Sequence, residues 1–401
     1  VPGWHKAIEK LAAKDRENFV IVGIIQEQHP ERCRLFAQWK ELDWPILCDP
    51  VNALGLRAVP VTIAIDEFGV VRDTRPEAKR FVDTFLRKQF SKPESEPVFS
   101  DPVRPDMVAL WQATVARPSP ATFQTYGDSI LLWQSIDEID LAIAAYRSGV
   151  ELDPKNAPLL FRLGVALRKR CESAQRQPGD FGEAVSNWTA ALEIDPNHYI
   201  YRRRIQQYGP RLEKPYPFYD WISEAQSQIA ARGESPILLR VTPSGAEIAS
   251  PRKQFPAEDS DSATPPDPEG KIQRSENRIL VSTVIVPQRI AAGTTARVHV
   301  EFRLAESKVE RQIKWNNEAE SMLVWIETPS GWIADEQLLK ITAPEMAESQ
   351  ENRSIEFEIQ APDDFQKPQT LTGYALVNVC EQQGQCLYVR CDFRVQLIPA
   401  D

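Results

Sequence analysis

The sequence contains no run of about 18 apolar residues, the length a helix needs to cross a bilayer, so no membrane span is expected. It also lacks any Cys-x-x-Cys pair, which excludes the usual zinc-ribbon and redox-helix signatures within these 401 residues. Histidines are few and scattered: His5, His29, His198 and His299 fall one to a region. Without paired Cys or His spacing, neither a metal site nor a cofactor is expected. Positive charge is short as well. The 47 Lys and Arg are outnumbered by 57 Asp and Glu, a formal net charge of −10. Phosphate binding needs clustered cations, so nucleic acid is not expected as a partner. One basic run, Arg202-Arg203-Arg204, reads as a solvated helix face.

What the chain does have is a globular balance, 42% hydrophobic and 26% charged, over a length that predicts two or three domains. Residues 91–107 (SKPESEPVFSDPVRPDM) and 236–276 read as Pro-rich linkers, the second most strongly over SPRKQFPAEDSDSATPPDPEGKIQRSE. They separate three folded blocks, 1–90, 108–235 and 277–401.

The first block alternates helix and strand. VPGWHKAIEKLAAKD opens as an amphipathic helix, and FVIVGII (19–25) is a continuous apolar run of the kind that forms a buried parallel strand. Pro30 suits the first turn of a helix reaching about Leu42. WPILCD and VPVTIAID read as further strands, EFG as a turn into VVRD, and PEAKRFVDTFLRKQF as a closing helix. The second block is helical and repetitive: Ala142, Tyr146 and Pro154 recur 42 residues later as Ala184, Trp188 and Pro196. Leu160, Leu163, Gly164 and Leu167 carry the first-helix pattern between them. A 34-residue helix–turn–helix period with an insertion near CESAQRQPGD accounts for the spacing. In the third block the period shortens to two, in runs such as TARVHVEFRL, RSIEFEIQAP and CLYVRCDFRVQLI, and an immunoglobulin-like β-sandwich is expected.

These residues carry three resemblances. The phrase LGLRAVPVTIAIDEFGVV resembles the TlpA/redoxin branch of the thioredoxin superfamily. That resemblance implies a cis proline facing the redox site at Pro60, with Val59 beside it as the substrate-binding loop. It also implies a Cys-x-x-Cys just upstream of Val1, where a helix N-terminus lowers the thiol pKa. A secretion signal is expected upstream too. The second block resembles tetratricopeptide repeats, which present a surface to protein partners. The third, through GYALVNVCEQQGQCLY, resembles the N-terminal periplasmic domain of DsbD-type interchange proteins. There two cysteines flanking a strand-to-strand turn exchange disulfides, and Cys380 and Cys386 match them, with Gly384 in the turn.

Together the resemblances imply an α/β thioredoxin-like domain, then an all-α repeat region, then an all-β sandwich. The implied activity is thiol–disulfide exchange with protein thiols and disulfides in a bacterial extracytoplasmic (periplasmic) compartment. Three states of Cys380 and Cys386 stay open: a redox-active pair, a static disulfide, or thiols paired otherwise, since Cys391 lies close in sequence. A peroxiredoxin-like thiol peroxidase, and a non-enzymatic repeat protein with redox-silent flanks, stand as alternatives. Cys33 and Cys48 sit at apolar positions and read as small buried hydrophobes, able to form a disulfide only if helix and strand end bring them within about 7 Å. Cys171 falls in the repeat insertion and reads as incidental.

Overall fold

The computed structural model describes residues 2–9, 11, 13–94, 103–214, 217–249, 255, 263–305, 313–381 and 385–400. Parts of both linkers, and Gly384, lie outside the described residues. The chain forms two compact units. One comprises Val1–Gln175, Ala190–Arg203 and Tyr219–Thr242, and the other Arg176–Thr189, Arg204–Phe218 and Pro243–Asp401.

The first unit begins with short elements: α1 (Pro2–Glu9), α2 (Ala13–Arg16), β1 (Gly23–Ile25), α3 (Pro30–Trp39), β2 (Ile46–Cys48), β3 (Ala64–Ile65) and β4 (Val71–Asp73). Strands β1 and β2 pair in parallel across the α3 crossover, and β3 and β4 form an antiparallel hairpin. Pro30 occupies the first turn of α3, where a missing N–H costs nothing. Leu35 and Trp39 bury the inner stripe of that helix against Ile222, Ala225 and Ile229. The expected long buried strand over 19–25 is corrected: only three residues pair, and Val20, Val22 and Ile24 are exposed. A buried parallel strand needs neighbours on both edges and both faces, and among the described residues β1 pairs with β2 alone. The expected VPVTIAID strand likewise contracts to two residues, and the closing helix to a π-helical turn over Val82–Leu86.

Helices then follow one another: α4 (Met107–Ala116), α5 (Pro120–Trp133), α6 (Ile139–Leu152), α7 (Ala157–Cys171), α8 (Asp180–Ile194), α9 (Tyr199–Gln206) and α10 (Ile222–Ala231). Their starts are written locally. The Asp106 carboxylate accepts from Val108 and Ala109 N–H, Ser119 and Thr122 form a reciprocal capping box, and Asn156 accepts from Leu159 N–H. α4 to α7 pack each on the next. The recurring positions Ala142, Tyr146, Ala184 and Trp188 are all fully buried. Gly127 lets α5 approach α6, since a methyl there would lie 2.5 Å from the Tyr146 ring. The Tyr146 hydroxyl then donates to Asp128 Oδ1 at 2.7 Å, and Arg162 Nε donates to both Asp128 oxygens at 2.9 and 3.0 Å. The Arg202–Arg204 run is not uniformly solvated: Arg204 is buried with its guanidinium 6.0 Å from the Trp188 ring.

The second unit is β-rich. In chain order its strands are β5 (Ile279–Val286), β6 (Arg289–Ile290), β7 (Thr295–Leu304), β8 (Ile313–Asn316), β9 (Met322–Glu327), β10 (Ile333–Ala334), β11 (Leu338–Ile341), β12 (Glu348–Ser349), β13 (Arg353–Gln360), β14 (Gln369–Glu381) and β15 (Cys386–Pro399). One sheet runs β10-β13-β7-β5; the other runs β11-β9-β14-β15-β6, with β8 also on β14 and β12 on β8. Alternation decides the faces. Ala296, Val298, Val300 and Phe302 of β7 point to the same core as Leu371, Ala375, Val377 and Val379 of β14. The chain is thus a helical region followed by a β-rich one. No helix of the described residues is long and apolar enough to cross a membrane.

Candidate functional site

β14 and β15 are the two longest strands, paired antiparallel from Gln369↔Leu397 to Cys380↔Cys386. The last cross-strand pair of that ladder is bridged: Cys380 and Cys386 form a disulfide with Cα atoms 4.0 Å apart. Glu381 N–H donates to Gln385 O at 2.9 Å, holding the strands together immediately beyond the bond. The two cysteines differ in environment. Cys380 is buried, with Lys314 of β8 opposite it, whereas Cys386 is exposed. Arg278 Nε donates to Glu381 Oε1 at 3.0 Å, so the carboxylate next to the bond is itself engaged.

The period of two also settles the third nearby thiol. Val389, Cys391, Phe393 and Val395 point into the inter-sheet core, so Cys386, five residues before Cys391, faces the other way. Cys391 sits opposite Ala375, and its burial raises the thiol pKa despite a hydrogen bond from Ser275. It is a core side chain. Geometry therefore leaves Cys380 as the partner of Cys386.

Val59 and Pro60 lie in the first unit, in the loop ahead of β3, and belong to a different unit from the disulfide. Their peptide bond is cis, and both residues are exposed. The segment before them is pinned. Asp49 Oδ1 accepts from Ala53 N–H at 2.8 Å, and the Asn52 side chain both accepts from Leu56 N–H and donates to Leu56 O, each at 2.9 Å. Arg57 pairs with Asp195 at 2.9 Å.

Two polar clusters escaped the sequence reading. In the first unit, Glu27 accepts from the N–H groups of Gln28 and His29 at 2.7 and 3.1 Å and from the Tyr219 hydroxyl, with Arg32 at 3.9 Å. Cys48 Sγ lies 3.6 Å from Glu27 O, and His29 faces Glu172 at 3.4 Å. Burial would raise the Glu172 carboxyl, yet Arg168 and His29 hold it down at about 2. Cys48 is exposed and Cys33 half-buried, which corrects the reading of both as buried hydrophobes. In the second unit, His299 bridges Glu356 Oε1 (3.0 Å) and Tyr208 O (2.8 Å), and Arg297 and Ser244 also bond Glu356. Apart from the Glu27 bonds to Gln28 and His29, both rest on contacts between residues far apart in sequence. The only local signal was alternation in TARVHVEFRL, which puts Arg297, His299 and Glu301 on one face.

Against known proteins, no protein-family profile matches the chain. It is similar to the photosystem I assembly protein Ycf3 of Synechococcus sp. (strain WH7803), 26% identical over 83 residues, 19% of this chain. That match fits the helical segment, and the chain spans about half the length (48%) of this curated relative. Among solved structures it is similar to the sporulation control protein Spo0M of Bacillus subtilis, at 11% identity, TM-score 0.17, covering 31% of this chain and 50% of that one. It is also similar to the PapD-like domain 7 of human CEP192, at 10% identity, TM-score 0.14, covering 36% and 100%. Similarity at this level carries no weight for fold or function.

Proposed function

We propose that this chain is a thiol–disulfide exchange protein of a bacterial extracytoplasmic compartment, in which Cys380 and Cys386 form the redox pair of an immunoglobulin-like domain. A thioredoxin-like first block, with Val59 and Pro60 contacting the partner segment, and tetratricopeptide-like helices that bind a protein partner complete the reading. One observation carries it: the disulfide joins an exposed sulfur to a buried one at the end of a long hairpin. Cys386 is the exposed residue of the pair and so the one an incoming thiolate attacks. Attack there forms a mixed disulfide through Cys386, breaks the S–S bond, and releases Cys380 as a thiolate that takes up a proton. A second thiol of the partner then attacks the partner's own sulfur, releasing Cys386 as a thiol. The protein is reduced by two electrons and the partner oxidised.

The test is an equilibrium titration of the full chain in dithiol redox buffers, with the two cysteines read by alkylation and peptide mass spectrometry. A working pair titrates above about −300 mV, the region below which structural disulfides of secreted proteins lie. A Cys380→Ser chain should in addition trap an oxidised dithiol protein as a mixed disulfide through Cys386, whose thiolate attacks the partner's disulfide and releases one partner thiol. If the pair stays oxidised well below that potential and Cys386 traps nothing, the proposal fails. A second reading, a helical-repeat interaction protein without redox turnover, draws support from the similarity to a protein named for assembly. It predicts partner binding that survives Cys380→Ser/Cys386→Ser.

A further inference from the structure

Two thiols of the first unit, Cys33 on α3 and Cys48 on the strand that follows it, serve no role in the exchange just described. Cys48 is the last residue of β2, where Ile25 of β1 is its register partner and Asp49 N–H donates to Ile25 O at 2.7 Å. The chain then leaves β1, passes Glu27, and enters α3 at Pro30, so Cys33 stands in the first turn of the helix that follows the strand beside Cys48. The intervening loop is clamped. Glu27 is held through its carboxylate by two backbone N–H groups and by Tyr219, while its carbonyl oxygen accepts from Cys48 Sγ at 3.6 Å. A fixed loop therefore holds the strand end and the helix start together.

We infer that Cys33 and Cys48 are a second thiol pair, which closes to a disulfide by exchange with a small disulfide such as oxidised glutathione. Cys48 is the entry sulfur because it is exposed. The Cys48 thiolate attacks the small disulfide, forming Cys48–S–S–R and releasing one thiolate, which takes a proton. Cys33, after losing its proton to solvent, attacks Cys48 Sγ; the Cys48–S–S–R bond breaks and the second small thiol leaves. Two protein thiols become one disulfide, and the small disulfide is reduced to two thiols.

The order is built in. Burial, then the neighbouring Cys48 and Glu27, push the Cys33 thiol up to about 11, so it does not compete as first nucleophile. Once Cys48 is capped, its thiolate no longer repels a charge on Cys33. That contribution vanishes and the second thiol becomes easier to ionise when it is needed.

The experiment treats the full chain with oxidised glutathione under native conditions and maps its disulfides without reduction. A cross-linked peptide joining Cys33 to Cys48 is expected. Cys33→Ser should lose it and retain glutathione on Cys48, and Cys48→Ser should leave Cys33 unmodified. Both variants should keep the Cys380–Cys386 bond and the parent circular dichroism, which separates this outcome from the fate of the C-terminal pair. Stable glutathionylation of Cys48 in the parent chain, without closure onto Cys33, overturns the inference. So does a parent chain unmodified at both positions.

Discussion

Replacing Gly373 by alanine should loosen the sheet that carries the disulfide. Gly373 lies mid-way along β14, paired on one side with Phe393 of β15 and on the other with Ile326 of β9. A methyl at this position would stand 2.3 Å from Phe393 Cζ and 2.7 Å from the carbonyl oxygen of Trp325. Carbon contacts are comfortable near 3.5 Å, so the ring would have to retreat by roughly 1 Å. It has little room to do so, because Phe393 is buried and packs edge-on against Phe302 at 6.1 Å. The backbone carbonyl is fixed by pairing on both sides. Overpacking of this kind costs about 1–3 kcal/mol, and here the upper end applies. The smaller entropy of an unfolded alanine returns less than about 1 kcal/mol. The net loss is about 2 kcal/mol, which corresponds to roughly 30-fold faster opening. Hydrogen exchange of the β14 amides, read by mass spectrometry, reports this sheet directly. A second change, Phe393→Leu, should recover part of the loss in the Gly373→Ala background, so the pair is non-additive. Unchanged β14 exchange in Gly373→Ala, or strict additivity in the double variant, would refute the steric reasoning.

Three other outcomes are expected. Tyr146→Phe removes a hydroxyl that donates to Asp128 and should cost about 1–2 kcal/mol, whereas Asp128→Ala strands the buried Arg162 guanidinium and should cost about 3–5 kcal/mol, both read by thermal denaturation. The Glu172 carboxyl is raised by burial but lowered more by Arg168 and His29, from 4.5 to about 2. With its folded pKa depressed, its contribution is full above about pH 4.5 and disappears as pH falls towards 2, so Glu172→Gln should flatten the fall of the melting temperature across that window. Cys391 should resist iodoacetamide until the chain unfolds, and Cys391→Ala should leave the Cys380–Cys386 bond in place; rapid native labelling would contradict its core position.

Local pattern was a good guide wherever the deciding contacts are local. Pro30 marks the start of α3 because a residue without an N–H is tolerated in a first turn. Ala142 and Tyr146, with their counterparts Ala184 and Trp188, could be named as core because helical spacing puts them on one stripe. Alternation marked RSIEFEIQAP and CLYVRCDFRVQLI as strands, and β13 and β15 form there.

What the order of residues alone could set was periodicity, the helix start at Pro30 and the candidate pair Cys380/Cys386. Whether a given apolar or polar side chain is covered was decided by what folds across it. Val20, Val22 and Ile24 read as a core strand yet stand in solvent, while the bonds of His299 to Glu356 and Tyr208 join residues far apart in sequence. Cys48 read as a buried hydrophobe and is an exposed thiol above a clamped loop. Periodicity is a property of neighbours along the chain, whereas burial and pKa depend on neighbours in space, and only the folded chain brings those together.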